Sequence, residues 1–298
     1  MISERRVIPF IGSGFSSGLG LPQWHELLEK ICQEVGTTVK YSDIRASCAD
    51  DPLQIAEYLY IEAGNSIGPL RYAITKHLHN EVDMIHSTPH VELVNLGAPQ
   101  IYTTNYDDLI EDTYHALGID VDVIVLPRHV AISTNKTAQI VKYHGDLRHD
   151  DSLVLTESQY YTRLDLESPV DLKFRSDLLG KSVLFIGYSF SDLNIRVIWF
   201  KLMRMMRDVP ESDRPPSYIV RLQPDPVKER LYEAVGLRTI VIDPTASAST
   251  PAQQTALLAS FLTALSSKAA PDSRIPGQER PMYVSAGMLE AIDEEGAV

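Results

Sequence analysis

Apolar residues recur along this chain in two periods. Val7, Ile8, Phe10 and Ile11 make a short apolar run, Ile101 and Tyr102 end another, and runs rich in β-branched residues follow at 121–126, 139–143, 182–186, 218–222 and 239–242. Runs of this length, bounded by Gly, Asn, Asp or Pro, predict buried strands. Between them apolar residues return every three or four positions, the mark of helices with one buried stripe. The spans are 24–35, 52–63, 69–79, 89–96, 107–117, 153–179, 226–235 and 252–265, with a further stripe at Ile195, Ile198, Trp199, Leu202, Met203 and Met206. Pro22, Pro52, Pro69 and Pro89 stand near helix starts, where proline is tolerated. Strands alternating with helices predict an α/β fold around a parallel sheet. The helices between the first two strands predict an inserted helical module at about 22–98 that covers a cleft at the strand ends.

The pattern lapses near the carboxyl end. From Ser266 the chain carries Pro271, Pro276, Gly277 and Pro281 and closes on Asp293, Glu294 and Glu295. The expected organisation is one large domain over 1–268 and a C-terminal tail over 269–298, a linker with a short helix near Met288 and a possible role in assembly. The 298 residues are 44% hydrophobic and 22% charged, an ordinary globular balance. A formal charge of -13 argues against a broad electrostatic footprint for nucleic acid, which needs clustered Lys and Arg. No apolar run approaches the roughly 18 residues that span a bilayer, and the amino terminus lacks the sections of a signal peptide. The expected setting is cytoplasmic, without direct nucleic-acid or membrane binding. Cys32 and Cys48 are the only cysteines, too few for a disulfide framework or a four-thiolate zinc site, and no metal site is expected.

Polar chemistry gathers where strands end. Val7 to Ile11 breaks into Gly12-Ser13-Gly14-Phe15-Ser16-Ser17-Gly18, a glycine-rich turn ahead of a helix, suited to a phosphate approached by backbone N–H groups. It is an imperfect dinucleotide fingerprint, with Ser17 at the third glycine position, and a tight ligand-free turn is the alternative. Ile101-Tyr102 leads into Thr103-Thr104-Asn105-Tyr106-Asp107-Asp108. Thr103, Thr104 and Asp107 have an alternative use as helix caps, whereas Asn105 has no capping duty that needs its amide. The run at 139–143 ends in His144-Gly145, an acid or base near neutral pH beside a residue that lets a ligand approach. The run at 182–186 ends in Gly187-Tyr188-Ser189-Phe190-Ser191-Asp192. Open α/β sheets bind ligands at strand carboxyl ends.

Two other motifs fail. Gly187-Tyr188-Ser189-Phe190-Ser191 lacks the second glycine of a nucleophile elbow, and no histidine follows His149 to complete a hydrolase triad in the usual order. Gly180-Lys181-Ser182 ends like a P-loop, but Arg175 stands where the first glycine is required and the motif precedes its strand.

The four clusters together resemble the sirtuin fold family, specifically its SIR2-like branch in prokaryotic antiviral defence. Gly12-Ser13-Gly14-Phe15-Ser16 looks like the GAGxS loop, Gly20-Leu21-Pro22 the start of GIPxFR, Thr103-Thr104-Asn105-Tyr106-Asp107 the TQNxD motif, His144-Gly145 the catalytic histidine and its glycine, and Gly187-Tyr188-Ser189 the GTS turn. The resemblance runs from about Val7 to Asp243 and implies a Rossmann-like sheet with an inserted module. It implies hydrolysis of NAD+ to nicotinamide and ADP-ribose, with NAD+ as substrate and depletion of NAD+ as the defence. Asn105, His144 and Asp107 would be catalytic: Asn105 positioning water and ribose, His144 acting as general base, Asp107 engaging the carboxamide. Gly12, Ser13, Gly14, Phe15, Ser16, Thr104, Gly187 and Ser189 would bind the dinucleotide. The missing zinc-ribbon cysteines, and Gln23-Trp24-His25 where the arginine of GIPxFR belongs, weigh against a protein deacylase, one of two alternatives. The other is a non-catalytic NAD or ADP-ribose sensor. A homo-oligomer is expected, with a separately encoded defence partner such as a HerA-like ATPase or an Argonaute-like protein.

Overall fold

The computed structural model describes residues 6–78, 81–133, 138–165 and 167–269. The expected tail, apart from Ala269, lies outside the described residues. Seven parallel strands form one sheet: β1 Val7–Ile11, β2 Gln100–Thr103, β3 Val121–Ile124, β4 Ala138–Lys142, β5 Ser182–Ile186, β6 Ser217–Arg221 and β7 Leu237–Val241, in the order β3-β4-β2-β1-β5-β6-β7. From β1 the chain adds β2 beside it, places β3 at the edge, inserts β4 between β3 and β2, and then returns to place β5 on the other side of β1. The strand order therefore reverses between β1 and β5, where such sheets open a crevice at their carboxyl ends.

Helices cover both faces because parallel strands are buried on both. On one face Phe10, Tyr102, Val141 and Phe185 pack against Phe174 of α9 (Pro169–Leu178), Ile198 and Trp199 of α10 (Leu193–Met205), and Tyr232 of α11 (Pro226–Ala234). On the other, Ile11, Ile101, Ile140 and Leu184 meet Leu93 of α5 (Thr88–Asn95), Ile110 and Tyr114 of α6 (Leu109–Ala116), and Leu262 of α12 (Pro251–Ala269). Ser266 of α12 donates to the buried carboxylate of Glu92 on α5. Near its start α12 also meets the turn after β1, so closely that a Cβ on Gly18 would lie 2.0 Å from Thr255 Oγ1.

The helices between β1 and β2 divide by packing. Four of them, α1 (Trp24–Val35), α2 (Tyr41–Ser47), α3 (Pro52–Glu62) and α4 (Ile67–Leu78), build a separate core from Leu28, Ile31, Ile55, Leu59, Leu70 and Ile74. α5 packs instead on α6 and α12 of the main layer. Tyr106, Leu153 and Leu155, which follow β2 and β4, complete the small core and root the module over the strand ends. The helical pattern expected over 153–179 resolves into α8 (Glu157–Thr162), a 3-10 turn at Arg163–Asp165, and α9. Pro169 imposes the break, since the residue before a proline resists helical backbone, and Ser168 caps the restart through Asp171 N–H. α2 and α7 (Pro127–Ile132) are too short to leave a helical period in the sequence.

Candidate active site

Four adjacent strand ends, those of β4, β2, β1 and β5, are stitched into one row. Thr103 Oγ1 donates to Ile11 O at 3.1 Å and accepts from Asn105 N–H at 3.0 Å. Tyr143 N–H donates to Thr103 O at 2.7 Å, and Gly14 N–H to Gly187 O at 2.9 Å. These bonds hold the 103–108 turn between the glycine turn and the histidine strand. Thr103 thus does not cap α6. Asp107 does, through Leu109 N–H at 3.3 Å.

The glycines of the β1 turn serve the fold in a way that the sequence did not suggest. A Cβ on Gly12 would lie 2.5 Å from Gly187 O, and one on Gly187, at φ +62°, would lie 2.2 Å from Phe15 N. The two turns press backbone on backbone, which only glycine permits. The amides of Gly12, Gly14, Phe15 and Ser16 are all taken by carbonyls, the first two by Ile186 O and Gly187 O and the others within the 3-10 turn at Ser13–Phe15. Those four amides are therefore not displayed to a phosphate, and α1 starts too late to aim its N-terminus from this turn. Ser13 and Gly14 are exposed, Phe15 is buried edge-on against His90, and the buried Ser16 hydroxyl has no partner. Gly145 likewise makes room for chain: a Cβ there would lie 2.2 Å from Ser152 O, so its openness is already used.

His144 is buried at the end of β4. Its Nε2 lies 3.0 Å from Asp192 Oδ2, outside aligned hydrogen-bond geometry, and its Nδ1 lies 3.3 Å from the Tyr160 hydroxyl. Tyr160 donates to the same Asp192 oxygen at 2.9 Å. Burial would raise the Asp192 pKa, but the imidazole and bonds from His144, Ile195 N–H and Tyr160 bring it below the usual carboxylate range. Asp192 also caps α10. Sequence reasoning passed over Asp192 and Tyr160. The first reads as an ordinary N-cap and the second as one apolar position of an amphipathic helix.

Asn105 is 6% exposed, and neither its amide oxygen nor its nitrogen has a partner among the described residues. The same holds for the buried hydroxyls of Ser16 and Tyr188 and the buried amide of Asn194, on the turns after β1 and β5 or the first turn of α10. Each such group costs about 1–3 kcal/mol when left unpaired. Asp107 sits beside them, half-buried, its pKa pushed up to about 6 by desolvation against the opposing pull of the Lys142 ammonium. Ser189 is exposed with its hydroxyl on Ser191, and Thr104 N–H reaches Ile11 O at 3.4 Å. Asp108, Glu111 and Asp146 could gather a metal ion by spacing, but Lys142 Nζ lies within 3.2 Å of all three. A cavity of about 690 Å³, lined by Ile67, Leu126, Tyr143, Val154 and Arg163 among others, includes none of the expected site residues.

Residues 99–240 match the family model described as SIR2-like domain. The chain is similar to NAD(+) hydrolase ThsA of Bacillus cereus (strain MSX-D12), 28% identical over 73% of this chain and 43% of that protein. It is similar to NAD(+) hydrolase ThsA of Enterococcus faecium, 31% identical over 71% and 42%, and to defense-associated sirtuin 2 of Bacillus subtilis, 26% identical over 79% and 23%. The chain spans less than half the length of these relatives. The parallel sheet and the ordered strand-end motifs agree with this match to a SIR2-like domain over residues 99–240.

Proposed function

We propose that this chain hydrolyses NAD+ to nicotinamide, ADP-ribose and a proton, as an antiviral effector that depletes the cell of NAD+. The observation that carries the reading is the row of buried polar groups without partners among the described residues, the Ser16 and Tyr188 hydroxyls and the Asn105 and Asn194 amides, beside a histidine held by a carboxylate. A polar ligand bound at these strand ends would satisfy groups that the fold leaves costly. The names of the relatives support a dinucleotide as that ligand.

The residues divide the work. Cleaving the nicotinamide–ribose bond develops positive charge on the ribose, and the electron pair leaves with nicotinamide. Asn105 offers an amide with both a donor and an acceptor free to orient water and ribose. Asp107, when ionised, accepts from the carboxamide N–H2. His144 takes the proton released when water attacks the anomeric carbon, and Asp192 stabilises the imidazolium that results. Ser16 hydrogen-bonds the dinucleotide with its hydroxyl, and the glycines shape the turn. The working form is an oligomer acting with a separately encoded defence partner.

Purified chain incubated with NAD+ should release nicotinamide, and Asn105→Ala and His144→Ala should each lower the rate by at least about a hundredfold. Both variants cleaving NAD+ as fast as wild type would sink the assignment. Free ADP-ribose as product, in place of O-acyl-ADP-ribose from an acylated peptide, separates hydrolysis from deacylation.

A further inference from the structure

Lys142 is the last residue of β4, two positions before His144, and its side chain has no solvent exposure. Its ammonium lies 2.6 Å from Asp108 Oδ1, 3.2 Å from Glu111 Oε1 and 3.1 Å from Asp146 Oδ2. It also donates to the backbone carbonyls of Asp107 at 3.0 Å and Tyr106 at 3.4 Å. Two of these five oxygens belong to the turn that carries Asn105, two to side chains at the start of α6, and one to the residue that follows His144-Gly145. One charged group thus touches both halves of the site.

The local restraints that usually hold such a turn are diverted to it. Asp108 occupies the N-cap position of α6, yet its side chain caps nothing and turns to Lys142 instead. Asp146 is held from outside by Arg148, whose Nε and Nη2 reach its two oxygens at 2.9 and 2.7 Å. Burial raises the Glu111 pKa to about 7 against the pull of Lys142. The carboxylates outnumber the cations, so the ammonium is the group around which the others arrange.

We propose that Lys142 is a positioning residue for NAD+ cleavage: its ammonium, standing where three carboxylates converge, locks the 104–108 turn, with Asn105 and Asp107, to the strand that ends in His144. The proposal rests on the hydrolase reading for its reaction, but the lock itself is a property of the chain. Lys142 touches no reacting atom and acts through the turn. A methionine would fill the stem volume and remove the charge, while leaving Glu111 buried without a counter-ion.

The test therefore uses the full chain as Lys142→Met and as Lys142→Met with Glu111→Met, an apolar pair that relieves the stranded carboxylate. Thermal melting, kcat for nicotinamide release and hydrogen exchange of the 103–109 amides are compared with wild type. The single variant should melt lower and lose activity. The double variant should regain the melting temperature, yet keep a kcat about a hundredfold down and exchange the 103–109 amides about tenfold faster. Recovery of kcat along with stability overturns the proposal, because Lys142 would then be an ion pair and nothing more. Unchanged exchange in the turn overturns it too, whatever the activity. A wild type that releases no nicotinamide counts against the hydrolase reading alone, since the exchange rates decide the lock without turnover.

Discussion

At His144, the charge of Asp192 decides what a proton transfer costs. Replacing it with Asn keeps an oxygen for Ile195 N–H, so the α10 cap survives while the counter-charge is lost. Asp192→Asn should lower kcat for nicotinamide release about a hundredfold with little change in melting temperature. An unchanged kcat would remove Asp192 from the mechanism. Asp107 makes a separate prediction, because burial sets its pKa at about 6. Binding of the carboxamide by its ionised form should weaken as pH falls through 6, seen as a rising KM for NAD+, and Asp107→Asn should flatten that limb. The motif residues were legible in the sequence because strand-end turns concentrate polar side chains that a plain connection does not need. Asp192, Tyr160 and Lys142 were not legible. Their roles come from partners on other elements, as when Tyr160 meets Asp192 across 32 residues, or from a charge that looks solvated until the fold encloses it.

Among the elements, the strands declared themselves best. β1 and β5, at the centre, are apolar runs buried along their whole length, so burial and propensity agree. Helix ends were less visible, since prolines and short segments such as α7 break the period, and the division of the inserted helices between two cores depends on contacts that no local pattern encodes. The glycine turns show the same limit. Their spacing was plain, but what occupies the space beside them is another turn of the same chain. Gly187→Ala puts a Cβ against Phe15 N in a left-handed backbone and should cost at least about 2 kcal/mol, read as a lowered melting temperature. Tyr106→Phe removes the hydroxyl that donates to Val154 O at 2.6 Å beneath the helical module. A loss of about 1–2 kcal/mol is expected in denaturant unfolding, and a neutral result would mean that the module is anchored by its apolar contacts alone.

For the molecule as a whole, the raised carboxyl groups give stability a definite pH dependence. Glu111 has an ordinary value of 4.5 and a native value of about 7. Between these the folded chain holds a proton that the unfolded chain has released, so stability falls as pH rises through this window, by up to about 1.4 kcal/mol per unit. Asp107 adds the same sign between 3.8 and about 6. Asp146 and Asp192, held below their ordinary value of 3.8, withdraw stability only in stronger acid, outside this window. Melting temperatures from pH 4.5 to 7 should fall more steeply in wild type than in Glu111→Gln; the buried His90, its pKa lowered to about 3 by desolvation, works the other way in both. Parallel profiles would mean that Glu111 stays ionised beside Lys142.

The contact of Thr255 with Gly18 joins the last described helix to the turn after β1. Chains emerge from the ribosome amino end first, so the β1 turn waits until residues beyond 251 are made before α12 can press on it. β5, which supplies the Gly187 backbone, also arrives late. A nascent or prematurely terminated chain would carry every motif up to His144 and still lack the neighbours that shape the first of them. On the proposed hydrolase reading, this order of assembly would be a safeguard written into topology: a copy cut short before α12 lacks the contact that presses on its first turn.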